Sequence, residues 1–137
     1  MSRGAKLRPA KPKTSAARLR PQLEAARLEL RALYRSLDRL RLAQEVPAKL
    51  RRLQELDADL AEALWVLDQP RGRFDLSAMV ADTLKSLGQL AGAREAFLAS
   101  FDASIREQIE AGAQATHTVL SPKDAYLEIP GRDPATP

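Results

Sequence analysis

A chain of 137 residues has room for one compact domain with tails, and a composition that is 45% hydrophobic but only 4% aromatic calls for a core of leucine and alanine, which favours helix over strand. The absence of cysteine excludes disulfides, thiolate metal sites and cysteine nucleophiles. No run approaches the ~20 apolar residues of a membrane span or the apolar core of a secretory signal, so a soluble, cytoplasmic protein is expected. The net charge of +4 hides a gradient: residues 1–52 carry 15 basic and 4 acidic side chains, a balance of +11, whereas residues 53–137 carry 7 and 14, a balance of −7. Such a split suits either a basic end that meets a polyanion or halves that neutralise one another in an assembly.

From Met1 to Arg20 there are seven cations (Arg3, Lys6, Arg8, Lys11, Lys13, Arg18 and Arg20), no acid, and only Leu7 and Leu19 as sizeable apolar side chains. Burial on that scale does not offset backbone entropy, so residues 1–20 are expected to form a disordered basic arm. Counterion release on DNA or RNA rewards flexible, unopposed cations of this kind. The arm has no aromatic ring on which a base can stack, so it is expected either to contact a polyanion without sequence preference or to serve as a solubilising tail.

Pro21 suits the first turn of a helix, where its missing N–H has no partner to lose. Leu23, Ala26, Leu30, Leu33, Leu37 and Leu40 follow at spacings of three and four, the pattern of a coiled-coil seam. Leu23, Leu30, Leu33, Leu37 and Leu40 are therefore the expected protein interface, for a homo-oligomer or a helical partner, or else the inside of an intramolecular bundle. Arg27, Arg31, Arg35 and Arg39 recur every four residues off that seam and are expected outside. There Arg27, Arg31 and Arg35 extend the phosphate-contacting set of the arm, or they form a solvated face with Glu24, Glu29 and Asp38.

Pro47 forces a break, because it cannot donate to a helical carbonyl and it disfavours helical geometry at Val46. A second helix carries Leu50, Leu53, Leu56, Leu60, Leu64 and Leu67 and ends before the turn at Pro70 and Gly72. Asp75 caps a third, which presents Leu76, Val80, Leu84, Leu87, Ala91, Leu98, Phe101, Ile105 and Ile109. Run to Ala113 it would be long, so a bend near Gly88 and Gly92, or two helices end to end along it, is expected. Residues 119–137 read as an extended, proline-rich tail in which Tyr126, Leu127 and Ile129 form a short strand or a docking peptide.

Little here resembles a reaction centre. His117 is the only histidine, and its setting contains no nucleophile elbow, zinc-binding helix motif or phosphate-binding glycine loop. Glu55, Asp59 and Glu62 share a helix face, but three exposed carboxylates are commonplace without a metal. Gly88 and Gly92, with Ala81, Ala99 and Ala103 on about the same face, reflect simple tolerance of small residues, with a close helix contact as the alternative. Trp65, Phe97 and Phe101 are expected to anchor one core.

The sequence therefore predicts an all-α protein, a helical hairpin or three-helix bundle with leucine seams over residues 21–118, with no catalytic residue, metal or other cofactor. Its expected role is that of a non-enzymatic interaction protein that self-associates or binds a helical partner, with a basic arm touching DNA or RNA. The alternative is an adaptor or assembly subunit that never meets nucleic acid.

Overall fold

The computed structural model describes residues 16–70, 72 and 74–120, and the expectations for the first 15 residues and for the tail from residue 121 lie outside that range. The described chain is an all-α bundle of four helices: α1 (Ala16–Arg39), α2 (Pro47–Leu67), α3 (Leu76–Ala99) and α4 (Ala103–His117), with a short 3-10 turn, Ala43–Glu45, after α1. No helix among the described residues is long and apolar enough to cross a membrane.

Helix α1 begins five residues before Pro21, so Arg18, Leu19 and Arg20 belong to it rather than to an arm. The carbonyl that Pro21 leaves without an N–H is that of Ala17, which lies on an exposed turn where water can serve it. Leu19, 1% exposed, and Leu23 hold this first stretch against the core. At the other end, Arg41 N–H donates to the Asp38 carbonyl (2.9 Å) and Leu42 N–H to the Leu37 carbonyl (2.8 Å), a Schellman cap that turns the chain towards Pro47.

The expected long third helix is two helices. Asp75 caps α3, accepting from the backbone N–H groups of Ser77 and Ala78, and α3 stops at Ala99. Asp102 then accepts from Ile105 N–H and caps α4, so the chain reverses at Ser100–Asp102 rather than bending at Gly88 or Gly92. Lys49 secures this corner from α2, its ammonium 4.5 Å from the centre of the Phe101 ring and donating to the Ser100 carbonyl. Phe97 stacks edge-to-face on Phe101 at 5.2 Å. Arg106 of α4 pairs with Glu95 of α3 and with Glu110, and the hydrogen bond it donates to Glu95 pushes its guanidinium pKa above the ordinary value.

Helix α1 is the central element: it packs most extensively on α4, α2 packs most on α3, and α1 also touches both α2 and α3. Residues 30–34 are all buried, a span longer than one helical turn, so α1 is enclosed all round at its middle. The seam leucines Leu23, Leu30, Leu33 and Leu37 join Leu50, Leu53, Leu56, Leu60 and Leu64 in one core, with Leu40 partly buried against it. That seam is consumed within the chain. As an interface for a second chain it is closed off, because the same surfaces already cover one another.

The closest approach of α4 to α1 is made at Gly112. A side chain built there runs into the Ser36 hydroxyl, and that hydroxyl donates to the Ile109 carbonyl at 2.8 Å. Gly88 and Gly92 face open space, so neither glycine serves a close helix contact within the chain. Gly112→Ala is accordingly expected to cost about 1 to 3 kcal/mol through overpacking. Gly88→Ala and Gly92→Ala should each stabilise by about 0.5 to 1 kcal/mol through helix propensity. Urea titrations of the three variants check the opposite signs; equal effects would mean that α4 does not seat on Ser36.

Candidate nucleic-acid interface

Of the cations expected to face solvent from α1, two are inside. Arg27 and Arg31 are each 1% exposed. Arg27 makes a fork on Asp57 of α2, Nε to Oδ1 at 2.7 Å and Nη2 to Oδ2 at 3.2 Å, and Asp57 is itself fully buried. The cause is the position of α1: an amphipathic helix can keep a polar face wet only on a bundle's rim, and at the centre the arginine face meets α2. Phosphate has no access to either guanidinium. Arg27 and Arg31 thus belong to the core, a correction to the stripe read from the sequence.

Arg35 and Arg39, at the other end of the stripe, are exposed and stand beside a cluster made by the α1–α2 turn. Residues 35–52, RSLDRLRLAQEVPAKLRR, hold six cations (Arg35, Arg39, Arg41, Lys49, Arg51 and Arg52) against Asp38 and Glu45, and all six cations are exposed. Contacts within the chain account for Lys49, held by Phe101 and the Ser100 carbonyl, but not for the placement of Arg41. Arg41 is the C′ residue of the Schellman cap with φ 61°, the left-handed region where glycine is the low-energy choice and another residue costs about 1 to 2 kcal/mol. Lys49, Arg51 and Arg52 occupy the first two turns of α2; Lys49 lies in the first, where the helix dipole is positive and a cation is disfavoured, and Val46 provides no side-chain cap. Arg52 is partly engaged, donating to Gln89 at 2.9 Å and lying 3.4 Å from Glu55.

The opposite end of the bundle carries the root of the basic segment. Arg20 pairs with Asp68 and approaches Glu24, which fixes the start of α1 beside the end of α2. Arg18 is exposed on the same turn. Arg3, Lys6, Arg8, Lys11 and Lys13 lie outside the described residues.

Trp65, expected in the core, is 53% exposed and meets Phe74, 38% exposed, edge-to-face at 5.8 Å. Phe97 is buried, as the sequence implies, and Phe101 partly so. The sequence contained the signal: Trp65 lies one position off the Leu64 seam, and Phe74 follows the charged turn Pro70–Arg73.

A groove of about 440 Å³ between α1, α3 and α4 is unsuited to an anion, because Glu29, Glu95 and Glu110 outnumber Arg94 along it. His117 lines it from the last turn of α4, exposed. Glu55, Asp59 and Glu62 are exposed on α2, and no group of three metal-binding side chains occurs among the described residues. No protein-family model, curated protein or solved structure matches this chain.

Proposed function

We propose that this protein is a non-enzymatic helical module that holds nucleic acid without sequence preference. Contact is made through the cationic α1–α2 corner and the basic segment that precedes α1. The observation that carries this reading is the corner: six exposed cations against two acids, with Arg41 held in a left-handed conformation. Charges kept at a cost to local structure are accounted for by an external anion. A polyanion suits them better than a small one, because the cations spread over both sides of the turn and the N-terminal segment adds five more.

Two variants test the reading. Arg39→Gln/Arg41→Gly/Arg51→Gln should weaken binding to mixed-sequence DNA and RNA, with the salt slope falling by about 0.7 to 0.9 for each phosphate that is no longer neutralised. Its fold should be at least as stable as the original, since glycine relieves the strain at position 41. Removal of residues 1–15 should also weaken binding and flatten the slope. Unchanged affinity in both variants would overturn the reading, and the adaptor alternative would take its place.

A further inference from the structure

We infer that the exposed face of α2 is a track for single-stranded nucleic acid, on which Trp65, paired with Phe74, stacks bases while the cationic corner holds the phosphates. This rests on the reading above and adds the ligand's class. Arg51, Ala58 and Trp65 follow one another at seven-residue intervals, so they lie on nearly one line of α2, spanning about 21 Å at 1.5 Å per residue. Gln54 and Ala61 border that line on one side and carry no charge. On the other side stand Glu55, paired with Arg52, and Glu62. One end of the line is the cationic corner. The other is the ring pair, one turn from the Arg20–Asp68 pair and so beside the root of the basic N-terminal segment.

Of the acids around the rings, Asp68 is committed to Arg20 and Asp75 to the backbone of α3, while Glu62 stands exposed one turn before Trp65. In an edge-to-face pair one ring offers only its edge and keeps its faces out of the contact. A base has such a face to lie on, and every base has a π-face to offer, so the preference is for unpaired strands rather than for a sequence. A duplex buries its base faces in its own stack and can use only the phosphate contacts. A protein partner would find an apolar pair here too, but the cationic corner at the other end of the line matches a strand of phosphates.

Trp65 is the only tryptophan, so its fluorescence reports on this site alone. Titrating the full chain with oligo-dT and with a duplex of mixed sequence should quench the emission with the single strand and much less with the duplex. Trp65→Leu should lower single-strand affinity by about 5- to 150-fold while leaving duplex affinity and the salt slope unchanged, and Trp65→Phe should restore most of it. Circular dichroism confirms the fold of each variant. Absence of quenching, with Trp65→Leu binding single strands normally, overturns the track even where the corner and N-terminal variants lose binding. A blue shift on anionic phosphatidylserine vesicles with none of the oligo-dT effects overturns it in favour of a lipid surface. Failure of the full chain to bind any nucleic acid at low salt removes the underlying reading as well.

Discussion

Asp57→Ala is expected to destabilise the protein by about 3 to 5 kcal/mol. Asp57 is fully buried and receives two hydrogen bonds from Arg27. Its removal leaves a guanidinium without its counter-charge inside a leucine core, beside a second buried cation at Arg31. Asp57→Asn keeps the volume and one acceptor but not the charge, so it should recover only a small part of the loss. Asp59→Ala, two residues on and exposed, should change stability by no more than about 0.5 kcal/mol. Guanidinium unfolding of the three variants decides the matter, and a cost for Asp57→Ala below about 1 kcal/mol would mean that water reaches the pair. The pair also specifies alignment: α1 slid one turn past α2 would bury both charges apart, so one register is selected even where leucine packing tolerates several.

Leu53→Ala and Leu60→Ala should each cost about 2 to 5 kcal/mol, because both side chains are wholly enclosed in the core and the cavity left behind adds to the forfeited transfer energy. Leu33→Ala belongs to the same class. For a bundle of this size, with total stability on the order of 5 to 15 kcal/mol, two such changes together should unfold the chain. Arg39→Ala, exposed at the cationic corner, is the fitting control and should be nearly neutral. Arg31→Ala is not, since that side chain is part of the core. Equal tolerance at Leu60 and Arg39 in urea titrations would contradict the bundle.

Periodicity made the helical class legible, and Pro47, Pro70 and Asp75 made most of the boundaries so. The leucines that recur at three and four residues are the leucines of the core. What periodicity alone does not say is how many sides of a helix are covered. Helix α1 reads as one-sided, yet it lies among three others, and its arginine face is buried as a consequence. A stricter heptad register finds the clue: 50–53–57–60–64–67 puts Asp57 at a seam position, where an acid requires a buried cation opposite. The break at Ser100–Asp102 was written just as lightly. Asp102 is a good N-cap, but apolar periodicity continues across it, and only the corner contacts of Lys49 with Phe101 and Ser100 show the chain turning.

The candidate site was less legible because its signals are conformational. An arginine at position 41 is unremarkable until its φ proves left-handed, and the cations at 49, 51 and 52 are ordinary until the α1–α2 turn gathers them beside it. Trp65 reads as core from its neighbour Leu64 and as surface only once the register of α2 is fixed.

The most direct test of nucleic-acid contact is the salt dependence of binding by the intact protein to a mixed-sequence oligonucleotide. Log K should fall linearly with log salt, losing about a thousandfold between about 50 and 200 mM if some six phosphates are neutralised. Binding too weak to detect at the lowest salt, or an affinity indifferent to salt, would contradict the assignment.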